Sequence, residues 1–516
     1  MTPAYVRALL SELETLADDD IIVECATIDK NVVSHTEELL RLADHHLHVF
    51  PFKDVRRCWF RLYTDASIAK AAKVIQQHLE TQPSYEVYAS SLDAAVTYLD
   101  MALIMAGGLG REPMIHEFLK EIADISSGQL ETRPLKRRKM HTEDGLRPGL
   151  PEHDLLMAGE DALSARVSFQ IPRLQAPSLS TFDKHMTKSR TPLLLTGTIN
   201  RWPALERWKL KSYWLDRTIG GRRLVPIEVG RSYVDEDWRQ EIVTFRTFLE
   251  KYICGSSGAT DKSTSPIIAD DRKASERETE HQTGYLAQHD LFMQIPALQQ
   301  DVLTPDYCHL EPPPPEAGTP VAFSKAAKAR DQKTCHPTML PTPVLTHVAP
   351  TGYIDQDEEE PTGDIHKNIW FGPAWTISPL HHDPYHNILC QIVGKKYVRL
   401  YSPSHSDMLV PKSSTEPAPH LAPSPSAGPK EDNDIVAEGK TNGTYPTIDM
   451  SNTSNIDVAA MELSPFEDWD DVYPGISQVP YVDCLLEAGQ ALYIPVGWWH
   501  YVRSCSVGIS VSFWWE

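Results

Sequence analysis

The hydrophobic rhythm of the chain changes once, near residue 165, and that change limits the folds open to it. Up to about residue 127, apolar residues recur at i, i+3 and i+4 in "YVRALLSELETL", "TEELLRLADHHLHV", "DASIAKAAKVIQQHLE", "LDAAVTYLDMALIMAG" and "EPMIHEFLKEIADI". That spacing gathers them on one side of a helix, so successive helices are expected. Thr64-Asp65 and Ser90-Ser91 offer N-caps, and Gly107, Gly108 and Gly110 offer a stop. Short joins suggest a helical bundle or a tetratricopeptide-like stack, although no clean repeat is present. A docking role and a plain structural one both fit. Beyond residue 165 the apolar runs are short and bounded by Gly, Pro or Asp, as in "TPLLLTGTI", "RLVPIEVG", "NILCQIVG", "KKYVRLYSP", "QALYIPVG" and "GISVSFWWE". They read as strands of a barrel or sandwich. The expected class is α+β, with a helical domain at 1–127, a linker at 128–164 and a β-rich domain at 165–516.

Three stretches interrupt the β-rich part, near 255–282, 311–361 and 413–447. They hold many of the chain's 40 prolines, with Ser, Thr and charge and few aromatics. They cannot bury enough apolar area to offset the entropy of ordering, so disordered surface insertions are expected. The net charge of −22 argues against a nucleic-acid-binding body and favours basic partners. No run of 18 apolar residues stands out, and the acidic N-terminus lacks the pattern of a signal peptide, so no membrane span is expected. Eight cysteines without a CxxC pair support neither a zinc ribbon nor a redox motif and suit a reducing compartment. "RPLKRRKMH" (133–141) has the footprint of a nuclear-import signal, which points to the nucleus, with the cytoplasm also open.

The chemistry concentrates in "SPLHHDPYHN" (Ser378–Asn387). Two histidines and one carboxylate can hold ferrous iron on one side and leave positions open. A His-x-acid pair on a strand projects both groups to one face. Of six such pairs, only His381/Asp383 directly precedes an apolar strand, "NILCQIV"; His382 would then face the other way. A hydrogen-bonded structural cluster remains the alternative for this pair. A distant third ligand is best sought at His500 in "YIPVGWWHYVRS", where a locally satisfied histidine is the competing reading. Lys396 in "GKKYVRLYSP" shares parity with Val398 and Leu400, so it is expected to point inward toward a buried anionic partner.

"NIWFGPAWTISPLHHDPYHNILCQIVGKKYVRLYSP" and "LYIPVGWWHYVRSCSVGISVSFWWE" together resemble the Jumonji-C (JmjC) catalytic domain, and "GYLAQHDLFMQIPALQQDVLTPDYC" and "VPIEVGRSYVDEDW" are similar to one of its subgroups. The resemblance covers roughly 165–516. It implies a double-stranded β-helix, a cupin-like barrel, that binds Fe(II) and uses 2-oxoglutarate and O2. It implies His381, Asp383 and His500 as iron ligands. Tyr285, Ser378 and Lys396 would hold the distal carboxylate of 2-oxoglutarate, and Asn387 would lie near its C1 carboxylate. Glu228 and Trp238 would line the substrate pocket, where a carboxylate and an aromatic face suit a guanidinium or ammonium guest. The implied activity is hydroxylation of an arginine in a protein. Alternatives are demethylation of a histone methyl-lysine, clipping of methylated tails, or a non-catalytic chromatin-binding role. His386 is left open, either touching substrate or sitting on the far face. The oligomeric state has no sequence signal.

Overall fold

The computed structural model describes residues 1–15, 20–25, 31–48, 55–81, 85–131, 154–156, 165–234, 238–254, 283–334, 365–417 and 447–516. The helical part holds α1 (Pro3–Glu14), α2 (Thr36–Leu47), α3 (Arg57–Thr81), α4 (Tyr85–Ala106) and α5 (Glu112–Glu131). Helix α3 is the hub, packed against α1, α2 and α4. Thr64 and Asp65 do not cap it, because α3 starts at Arg57 and runs through them. The Thr64 hydroxyl donates back to the Phe60 carbonyl at 2.9 Å. The Asp65 carboxylate is buried and accepts from Arg61 at 3.1 Å and Arg111 at 3.0 Å, which ties α3 to the start of α5. Ser90 and Ser91 likewise lie inside α4. The glycine stop falls where expected, with Gly107, Gly108 and Gly110 all at positive φ.

The window Ala89–Ala106 in α4 is long and apolar enough to cross a membrane by length and composition. Here it is a core helix. Leu92, Ala95, Val96, Leu99, Ala102 and Leu103 are buried against neighbouring helices, and Asp100 is buried among them.

The β-rich part contributes β1 (Arg173–Gln175), β2 (Leu193–Thr196), β3 (Leu224–Val229), β4 (Arg239–Thr244), β5 (Gly284–His289), β6 (His366–Gly372), β7 (Ile377–His381), β8 (His386–Val393) and β9 (Lys395–Tyr401). It continues with β10 (Glu416–Pro417), β11 (Thr447–Ile448), β12 (Tyr481–Glu487), β13 (Gln490–Ile494), β14 (Trp499–Ser504) and β15 (Gly508–Trp515). One sheet runs β1-β2-β13-β8-β15-β6-β5-β3-β4 and the other β12-β9-β14-β7, while β10 and β11 pair as a small ribbon. From β6 to β9, and again from β12 to β15, consecutive strands alternate between the two sheets. That alternation is the double-stranded β-helix. All pairings are antiparallel except that of β1 with β2.

Period-two burial sorts each long strand. On β15, Ile509, Val511, Phe513 and Trp515 join the core behind the larger sheet, whereas Ser510, Ser512 and Trp514 face the barrel interior. The interior is lined by Leu194, Leu389, Val398, Leu400, Leu492 and Ile494. Strands β8 and β9 join through Gly394 at φ +72, where a Cβ would lie 2.0 Å from the Val507 carbonyl oxygen, so only glycine fits this turn.

The irregular insertion expected over 311–361 is corrected in its first part. Residues Pro320–Thr334 form a helix, Val321 is buried, and the Pro313 carbonyl accepts from the His386 ring. The proline run packs because its carbonyls meet a buried donor. The remaining 335–361, the segments 255–282 and 418–446, and the basic run 133–141 lie outside the described residues. Within the expected linker, Leu155 bridges Leu210 and Leu156 is buried in the barrel-side core.

Candidate active site

His381 and Asp383 are not both on a strand. His381 is the last residue of β7, and Asp383 lies in the connection before β8. His500 sits on β14 directly across the ladder from His381, beside an irregular step in the pairing before Val502. The smaller sheet therefore brings together residues far apart in sequence. The Asp383 carboxylate lies 4.0 Å from His381 Nε2 and 3.6 Å from His500 Nε2. One ligand atom from each of the three falls within 4.8 Å of the other two.

The local backbone sets the imidazole tautomers. His381 Nδ1–H donates to the Pro379 carbonyl at 2.7 Å, and His500 Nδ1–H donates to the Trp498 carbonyl at 3.0 Å. Each Nε2 is left with a lone pair aimed toward Asp383. Burial, with His381 alongside, lowers the His500 pKa to about 4, so its ring is neutral. Two Nε2 donors and one carboxylate, with no Lys or Arg among the described residues paired to Asp383, fit a divalent ferrous ion. His382 points away, as strand parity predicts. It is buried edge-on against Trp499, with ring centroids 4.5 Å apart.

A cavity opens beside this cluster, lined among others by Glu228, Tyr285, Ser378, Asn387, Lys396 and Trp514. Lys396 is buried on the interior face with Val398 and Leu400, and its ammonium donates to the Tyr285 hydroxyl at 3.1 Å. Tyr285 in turn hydrogen-bonds Ser378. Three polar groups thus converge on one wall, from β5, β7 and β9. Burial lowers the Lys396 pKa to about 7, and no carboxylate among the described residues forms an ion pair with its ammonium. Asn387 is buried, and its Oδ1 has no hydrogen-bond partner among the described residues.

Glu228 lies on the cavity wall in register with Tyr285 of the neighbouring strand. Its carboxylate accepts from the Trp238 indole at 3.4 Å, and burial raises its pKa to about 7. No cation among the described residues makes an ion pair with it. Sequence reasoning missed Tyr233, Trp370, Thr453 and Trp514, which also line the cavity, whereas Trp238, expected to line it, is not among its walls and meets it only through the bond to Glu228. Trp514 could have been found from its parity with Ser510 and Ser512; its indole N–H is buried with no partner among the described residues. Tyr233 and Thr453 lie outside the regular strands and carry no such signal. His386 is resolved as structural. Its Nε2–H donates to the Pro313 carbonyl at 3.1 Å, and its Nδ1 accepts from the Tyr493 hydroxyl at 2.8 Å, on the opposite face of β8 from Asn387.

The profile of the cupin-like domain matches residues 179–516, most of the chain. The chain belongs to the cupin-like JmjC oxygenases. JmjC relatives span nearly its whole length. It is 26% identical to lysine-specific demethylase 8 of Xenopus tropicalis, over 96% of this chain and 89% of that protein. It is 28% identical to lysine-specific demethylase JMJ30 of Arabidopsis thaliana, over 94% and 86%. Jumonji C domain-containing protein 5 of Drosophila melanogaster is 32% identical over 67% of this chain and 60% of its own length. As a JmjC oxygenase the protein is a 2-oxoglutarate-dependent dioxygenase, of a family that uses Fe(II).

Proposed function

We propose that the protein hydroxylates a side-chain carbon of an arginine within a protein substrate. The observation that carries this reading is Glu228, a cavity carboxylate with an indole N–H for a partner and no cation paired to it among the described residues. A planar guanidinium can bridge two carboxylate oxygens and lie against aromatic faces such as Trp238 and Tyr233.

In this reading His381, Asp383 and His500 hold Fe(II). Bound there, Fe(II) supplies the activation of O2 that inserts one oxygen atom into a C–H bond while 2-oxoglutarate becomes succinate and carbon dioxide. Lys396, with the Tyr285 and Ser378 hydroxyls, fixes the distal carboxylate of 2-oxoglutarate. Asn387 and the Trp514 N–H present polar groups to its other end. Glu228 anchors the guanidinium and so sets which carbon of the side chain faces the metal. The aromatic walls from Trp370, Tyr385 and Trp514 exclude water from the reacting carbon.

Demethylation of a methyl-lysine is the second reading, favoured by the names of two of the relatives and by aromatic walls that suit a methylated ammonium. Mass spectrometry of products from a panel of arginine and methyl-lysine peptides separates the two. A gain of about 16 Da on arginine supports the first, and a loss of about 14 Da from methyl-lysine supports the second. Glu228→Gln should lower kcat/KM for the arginine peptide about 100-fold. An unchanged value would remove the guanidinium anchor. A nuclear site of action and a basic, histone-like partner accord with the run at 133–141 and the acidic net charge.

A further inference from the structure

Helix α4 reaches the catalytic pocket through buried polar groups that no part of the reaction uses. Asp100 of α4 and Arg223, just ahead of β3, form an ion pair with side-chain exposures of 0% and 5%. Arg223 Nε donates to Asp100 Oδ1 at 2.8 Å. The same carboxylate accepts from the Leu224 backbone N–H, the first of β3, at 2.7 Å. Gln294 Nε2 donates to Asp100 at 2.9 Å and to the Leu224 carbonyl at 2.8 Å. Gln294 Oε1 then meets His289 Nε2, on the last residue of β5, at 2.7 Å. One carboxylate therefore holds the start of β3 and, through one amide, the end of β5.

These two strands carry Glu228 and Tyr285, which are paired in register. Side chains alternate faces along a strand, so a slip of β3 by one residue would turn Ile227 or Val229 toward the cavity in place of Glu228. Ile227 and Val229 now sit in the core on the other face. A buried ion pair adds little net stability, because desolvation offsets its attraction; its use lies in admitting one arrangement and penalising others.

We propose that Asp100 is a positioning residue for the active site: it locks β3 against β5 and so holds Glu228 opposite Tyr285. The helical layer is on this view part of the catalytic unit. The inference rests on the reading of Tyr285 as a 2-oxoglutarate anchor and of Glu228 as the substrate anchor.

The test measures 2-oxoglutarate affinity of the Fe(II)-loaded full chain without oxygen, together with peptide KM and kcat. Asp100→Asn leaves the buried Arg223 guanidinium without its counter-charge and can fail to fold. Gln294→Met keeps the Asp100–Arg223 ion pair and the Leu224 N–H bond, and removes the amide's bonds to Asp100, the Leu224 carbonyl and His289. Folded Gln294→Met is expected to bind 2-oxoglutarate about tenfold more weakly while kcat at saturation changes less than about twofold. Folded Asp100→Asn should also raise peptide KM. A merely structural role would shrink the active fraction, lowering kcat while leaving affinity and KM unmoved, and that result overturns the proposal. Tyr285→Phe serves as the control. If it binds 2-oxoglutarate like the parent, the anchor assignment fails and the proposal falls with it. If Tyr285→Phe weakens binding and the network variants do not, only the positioning role falls.

Discussion

A Cβ at position 372 would lie 2.7 Å from Tyr285 Cδ2 and 2.9 Å from Thr376 Cγ2, so glycine there leaves the space that the Tyr285 ring fills. Gly372→Ala should push the ring off Lys396 and raise the KM for 2-oxoglutarate about tenfold, with a smaller effect on kcat, in steady-state assays. Two residues also predict opposite pH limbs. Lys396, lowered to about 7, loses its charge as pH rises, so kcat/KM for 2-oxoglutarate should fall above about pH 7. Glu228, raised to about 7, gains its charge as pH rises, so kcat/KM for the arginine peptide at saturating 2-oxoglutarate should climb through the same range. Glu228→Gln should abolish that climb and leave the 2-oxoglutarate limb in place. His386 lies behind β8 with both ring nitrogens bonded, so His386→Ala should lower the melting temperature and spare KM for both substrates.

Among the elements, the short piece ahead of the barrel matters more than its loop-like composition suggests. Leu156 is buried in the barrel core and Leu155 bridges Leu210. A chain beginning at residue 165 should therefore melt lower than one beginning at residue 150, and Leu156→Ala alone should cost about 2–4 kcal/mol in denaturant titration. Helices and strands were legible because burial writes its period into the sequence: Lys396 was placed inward by parity with Val398 and Leu400, and Trp514 could have been placed the same way. Caps were not legible in α3. Thr64-Asp65 has the composition of a helix start, but Asp65 is spent on Arg61 and Arg111, which are partners from one turn back and from the next helix but one. The proline run at 312–315 misled for a related reason. Its backbone carbonyl, which composition does not reveal, meets a buried histidine.

At the scale of the whole molecule, the net charge of −22 predicts that KM for a basic peptide rises with ionic strength, measured between low and physiological salt, while KM for a neutral analogue of the same length stays flat. The position of the metal-binding candidates followed from one short stretch and one distant histidine, but their meeting did not. Only the pairing of β7 with β14 sets His381 opposite His500, and nothing in either segment alone encodes that pairing. The walls formed by Tyr233 and Thr453 depend on loops folding over the sheet and were equally invisible. Each imidazole, by contrast, takes its orientation from the carbonyl two residues before it in the chain. The donors are thus insulated from the rest of the cavity. On the proposed reading, descendants of this chain can trade one guest for another by altering Glu228, Trp238 or the covering loops, and the metal-binding chemistry need not be reinvented each time.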